Sequence, residues 1–143
     1  MKTKNPNWKA INQFGKAVLL LFVFFNLPSL YASGNVESSR PEPDYRDPAT
    51  LQAALESGTG EFLLIDVRTR EEFEAGHIPG AVLNPVAEIG SRLPDVPKDF
   101  PLVLYCRSGN RSAQAADILK RAGYTSVTDF GGINRWNYPL ARP

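Results

Sequence analysis

The chain is predicted to fold as one α/β domain, with a mostly parallel central sheet flanked by helices. Three observations predict it. Leu102–Cys106 is an unbroken apolar run and Phe62–Val67 one interrupted only by Asp66, the kind expected of strands buried on both faces. Helical patterns alternate with such runs from Asp47 onward. Once an N-terminal leader is set aside, about 110 residues remain, enough for one domain with its own core.

The leader is read from residues 1–32. Lys2, Lys4, Lys9 and Lys16 precede the apolar run AVLLLFVFFNL at positions 17–27, and small residues surround Ala32 and Gly34. Basic, apolar, small is the order of a secretory signal peptide, with cleavage expected after Ala32 or Gly34. Eleven residues span roughly 16 Å as a helix, about half of a bilayer core, so a stable membrane span is not expected in the mature form. The implied destination is outside the cytoplasm, a periplasm being the expected one. Residues 33–45 are polar and carry prolines, and read as a tether. The domain proper is expected over 46–143.

Within the domain, Asp47 caps a helix that opens with Pro48, buries Leu51, Ala54 and Leu55, and stops at Gly58. The strand Phe62–Val67 follows. Thr69 and Glu72 fit a capping box over a short helix to Ala75. Residues 76–80, GHIPG, make a turn. Ala81–Leu83 is a short strand, and 86–93 a short helix. Leu102–Cys106 is the next strand. A helix is expected from about Ser112 to Ala122, with Ala115, Ala116, Ile118, Leu119 and Ala122 on one face and Gly123 at its end. Ser126–Phe130 is the last strand, and Gly131–Gly132 turns it into a final short helix carrying Trp136.

Charge narrows the function classes. The full chain has 16 Lys+Arg and 15 Asp+Glu, a net charge of +1. Removing four leader lysines and no acid leaves 12 against 15, a net of −3. A mildly acidic domain without a basic stripe is not expected to bind nucleic acid. No metal or organic cofactor is implied.

Cys106 is the single cysteine, so the chain has no internal disulfide. A lone thiol in an exported chain is either paired with another molecule or kept reactive. Its surroundings, CRSGNRS over 106–112, favour the second. Strand, loop and helix follow one another here, and ligands of parallel sheets gather beyond the C-terminal ends of the strands. A helix starting near Arg111 or Ser112 presents unpaired amides and a partial positive charge. Gly109 and Asn110 tolerate the left-handed backbone that lets successive amides point inward as a nest for an anion. Such surroundings lower a thiol from about 8.5 to about 3.5–7.5. Arg107 and Arg111 bring fixed charge and forked donors, suited to an anionic substrate. Thiosulfate, a persulfide donor and a phosphate ester all fit at this level. The sole histidine, His77, lies in the GHIPG turn and reads as a structural residue.

Three blocks then resemble one family. Ile65–Arg68 with Glu72–Phe73 and Gly76–Ala81, the loop Cys106–Arg111, and Gly131–Gly132 with Trp136 together look like the rhodanese family, the sulfurtransferase homology domain. The resemblance covers about residues 46–140. It implies a rhodanese-like domain with Cys106 as the sulfur-carrying nucleophile, taking the outer sulfur of a small anionic donor such as thiosulfate and yielding it to a thiol or cyanide. It also implies that the loop amides of Arg107, Ser108, Gly109, Asn110 and Arg111 stabilise the persulfide, and that Arg107 and Arg111 help bind the donor. Asp66 and Arg68 look structural by the same comparison. Two alternatives stand beside it. Cell-cycle dual-specificity phosphatases resemble rhodaneses but place one more residue between cysteine and the final arginine, so phosphatase or arsenate reductase chemistry meets a cradle here that is one residue short. The domain could also act as a sulfur carrier or binding module without turnover.

Overall fold

A computed structural model describes residues 42–58 and 62–143; the leader and most of the tether lie outside the described residues. Helix α1 spans Pro48–Ser57, β1 Leu63–Asp66, α2 Arg70–Ala75, β2 Val82–Leu83, β3 Leu102–Cys106, α3 Asn110–Arg121 and β4 Val127–Gly132. A 3-10 turn, Ile133–Arg135, follows. The four strands form one sheet in the order β2-β1-β3-β4, and every pairing is parallel. The predicted α/β architecture is the observed one.

Local chemistry accounts for the helix ends. The Asp47 carboxylate accepts from the Thr50 amide and hydroxyl, each at 2.8 Å, while Pro48 occupies a position that needs no amide donor. At the other end Gly58 adopts a left-handed φ of 61° and its N–H closes on the Leu55 carbonyl. In α2 the capping box forms both ways: Glu72 N–H donates to Thr69 Oγ1, and Thr69 N–H donates to the Glu72 carboxylate at 3.1 Å.

Alternation along β3 divides the core. Leu102, Leu104 and Cys106 pack with Ala115, Ala116 and Leu119 of α3 and with Ile65 and Val67. Val103 and Tyr105 pack on the opposite face with Leu51 of α1, Ile78, Phe130 and Trp136. All five residues of β3 are buried, so the strand carries apolar side chains on both faces. Tyr45, the last residue of the expected tether, packs its ring on Phe62 with centroids 4.6 Å apart.

Three sequence expectations need correction. Residues 86–93 form successive turns and no helix. Ile89 bonds back to Pro85 and Arg92 to Glu88, but Glu88 and Ser91 close shorter turns between them. Gly90 lies inside this stretch and Pro94 just beyond, so nothing propagates the pattern. Second, α3 begins at Asn110, two residues early. Gly109, with φ 110°, turns the chain so sharply that Asn110 and Arg111 already belong to the first helical turn. Third, Gly131 and Gly132 extend β4 instead of ending it, and Trp136 follows the 3-10 turn rather than lying in it.

Candidate active site

Cys106 is the last residue of β3, and the chain leaves the sheet there to enter α3. Its side chain is only 1 % exposed and shares the apolar layer beneath α3. Its sulfur, however, meets donors. Gly109 N–H reaches Sγ at 3.0 Å. The first turn of α3 carries no side-chain cap, so its amides remain available to the sulfur. Burial alone would push the Cys106 thiol up. The Ser112 hydroxyl and amide, with the amides of Gly109 and Ser108, outweigh it and hold the thiol below its ordinary value.

Ser112 is itself fully buried, and its hydroxyl can also donate to Gly109 O at 2.8 Å or Gly131 O at 3.3 Å. One proton serves one of these acceptors at a time. Neither the sulfur-facing hydroxyl nor its burial was evident from the sequence, where Ser112 read only as a helix start.

The two arginines fall into different environments. Arg107 is exposed and has no ion-pair or hydrogen-bond partner among the described residues. Arg111 is half-buried. Its Nη1 and Nη2 donate to the two Glu72 carboxylate oxygens at 2.6 and 2.8 Å, a bidentate ion pair between α3 and α2. The Glu72 contacts and the charge of Cys106 both favour the protonated guanidinium. Ser108 and Asn110 are exposed, and Gly109 is half-buried between them.

The C-terminal glycines brace this loop. Register slips between Leu104, opposite Asp129, and Tyr105, opposite Gly131, leaving Phe130 as the extra residue of a bulge. The Asp129 carboxylate accepts from Gly131 N–H at 2.9 Å, and Gly131 takes a φ of 95°. The shift sets Gly132 opposite Cys106. A Cβ on Gly132 would lie 2.8 Å from Arg107 O and 2.9 Å from Ser108 Cα, so glycine is required by space and not by its φ of −100°.

Asp66 and Arg68 make a buried pair beneath the site. Arg68 Nη2 lies 2.6 Å from Asp66 Oδ2 and also donates to Gly76 O at 2.7 Å. Tyr105 OH accepts from Ile78 N–H at 3.1 Å, fixing the GHIPG turn to β3. His77 stacks on Phe73 and bridges to Ala141 by paired backbone hydrogen bonds. These contacts tie the GHIPG turn to β1, to β3 and to the C-terminal segment.

Comparison with known proteins identifies the family. Residues 47–138 match the rhodanese-like domain family. A sulfurtransferase of Allochromatium vinosum is 44 % identical over 89 residues, covering 59 % of this chain and 83 % of its own. The human thiosulfate:glutathione sulfurtransferase is 36 % identical over 99 residues, 59 % of this chain and 84 % of its own. The solved structure of a human single-domain sulfurtransferase, TSTD1, is 32 % identical, with a TM-score of 0.55 over 62 % of this chain and 89 % of that one. The chain belongs to the rhodanese-like domain family, and its relatives include proteins named sulfurtransferases.

Proposed function

We propose that Cys106 carries sulfane sulfur as a persulfide, from thiosulfate or a similar small anionic donor to a thiophilic acceptor, cyanide or a thiol. The Cys106 thiolate attacks the outer sulfur of thiosulfate. A new S–S bond forms, the old one breaks, and sulfite leaves with the electron pair. The acceptor then attacks the terminal sulfur of the persulfide, and the Cys106 thiolate leaves in turn. This is two-step covalent catalysis with ping-pong kinetics. No oxidant enters and no net charge is made.

The single observation that carries the reading is the convergence of donors on Cys106 Sγ, with Gly109 N–H at 3.0 Å. They favour the thiolate that attacks and the same thiolate as leaving group. The amides of residues 107–111 take the persulfide, and Arg107, exposed at the loop's edge, meets the donor's charge. Arg111 assists through the N–H groups not engaged by Glu72. The basic and apolar leader supports export, with a periplasm as the destination; the N-terminus of the mature protein, sequenced from a periplasmic extract, should be Ser33 or Asn35.

Mass spectrometry after thiosulfate treatment tests the chemistry. Wild type should gain one sulfur atom that Cys106→Ala does not, and cyanide should discharge it as thiocyanate. Absence of the adduct together with hydrolysis of aryl phosphates would replace sulfur transfer by phosphate chemistry. An adduct that no thiophile removes would make the domain a carrier.

A further inference from the structure

Arg111 reaches the loop already engaged. Glu72 grips it through both carboxylate oxygens, and the same carboxylate accepts from the Thr69 amide at 3.1 Å. It is thus held at both ends, by α3 and by its own capping box. The Arg111 hydrogen bonds, acting against burial, hold the Glu72 carboxyl at about 2, so it is ionised at any working pH. In formal charge, the Cys106 thiolate and the Glu72 carboxylate offset Arg107 and Arg111, and Glu72 engages Arg111 alone. Arg107, without an ion-pair partner among the described residues, is the loop arginine left for an incoming anion.

We propose that Glu72 sets the charge of the sulfur donor. By engaging Arg111, it leaves the loop better suited to monoanionic sulfane donors, thiosulfonates and persulfides, than to dianionic thiosulfate. The inference rests on the sulfur-transfer reading above. Arg107 can meet one unit of donor charge, and a second unit must leave water without a further free arginine to meet it. The pair sits at the rim, its side chains 31 % and 29 % exposed, so the effect is a bias and not an exclusion. The chemistry is the same for either donor. The Cys106 thiolate takes the outer sulfur, and sulfinate, sulfite or thiolate departs with the bonding pair.

Glu72→Gln isolates the charge. Glutamine still completes a capping box and still accepts from Arg111, while the negative charge is gone. The full chain is assayed with cyanide as acceptor and two donors, thiosulfate and methanethiosulfonate, which share the sulfonyl–sulfur group and differ by one charge. The ratio of kcat/KM, thiosulfate over methanethiosulfonate, should rise about three- to seven-fold in the variant. That is the Coulomb estimate for one extra donor charge on the order of 7 Å from the carboxylate, at an effective dielectric of about 40–80. A structural role alone would lower both donors together. A ratio that stays put or falls, in a folded variant that still takes sulfur onto Cys106, overturns the proposal. Wild type gives a second measurement: a near-neutral site makes the two donors respond alike to added salt, and a much steeper loss for thiosulfate would refute it. If neither donor places sulfur on wild-type Cys106, the sulfur-transfer reading itself fails, and this inference with it.

Discussion

Gly132→Ala adds one methyl group where the active-site loop crosses β4. The new Cβ would stand 2.8 Å from Arg107 O and 2.9 Å from Ser108 Cα. Carbon contacts are comfortable at about 3.5–4.0 Å, so the shortfall is roughly 0.6–1.2 Å. Asn134, also near, has a flexible side chain that can step aside. The other two atoms are backbone, so the loop must lift or β4 must bend. Overpacking of this kind costs about 1–3 kcal/mol of stability. Displacing the loop also pulls Gly109 N–H from its 3.0 Å contact with Sγ. Turnover should fall about ten- to a hundred-fold, the penalty for misplacing a catalytic group by up to 1 Å. Two assays read the two effects. Urea unfolding gives stability, and the pH dependence of iodoacetamide alkylation gives the thiol's ionisation, which should move up toward that of free cysteine. Gly58→Ala is the control: its Cβ meets nothing within 4 Å, so its cost is the left-handed backbone alone, about 1–2 kcal/mol. Gly132→Ala with unchanged alkylation profile and turnover would refute the bracing role.

Ser112→Ala should also shift alkylation to higher pH, because it removes a hydroxyl that helps hold the thiol down, and should cost about 1 kcal/mol of stability; an unmoved profile would show that the amides suffice. The sign for stability follows from the lowered thiol. Its contribution is full above the unfolded thiol's value and is lost as pH falls through the folded one, so Ser112→Ala should lose most stability, relative to wild type, at alkaline pH. Arg68→Ala and Arg107→Ala should separate cleanly. The first strands the fully buried Asp66 carboxylate and costs about 3–5 kcal/mol. The second, exposed and unpartnered among the described residues, should change stability by less than about 0.5 kcal/mol yet raise KM for thiosulfate. Equal unfolding midpoints for the two, or a thiosulfate KM indifferent to Arg107, would contradict the assignment. Acid should weaken the tie between α2 and α3. Glu72 is lowered from 4.5 to about 2, so its contribution is full above about 4.5 and disappears as pH falls toward 2. For a pair this exposed the amount is about 0.5–1 kcal/mol, and Glu72→Gln should flatten that part of the stability–pH curve.

What the sequence revealed of this site and what it concealed divide along chain separation. The donors to Cys106 come from Ser108, Gly109 and Ser112, all within six residues, and strand–loop–helix patterning is enough to suggest amides facing a thiolate. The strands were legible because β3 is buried on both faces and cannot disguise its apolar run. Residues 86–93 misled because turns with isolated helical bonds share the composition of a helix, and it is Gly90 within the stretch and Pro94 beyond it that keep the pattern from propagating. Glu72 and Arg111 lie 39 residues apart, so no local pattern joins them. Glu72 announced itself as a capping residue, a role it does fill, and as part of the first family block, and neither reading pointed to its second partner. Gly132 is similar: a pair of glycines reads as a turn until the bulge at Phe130 sets it against Arg107 and Ser108. The loop's chemistry is therefore local while its placement is not. Substitutions inside residues 106–112 should act on ionisation and attack. Those at Glu72 and Gly132 should act on which donor is met and from where, a division that kcat and KM measured across both groups can separate.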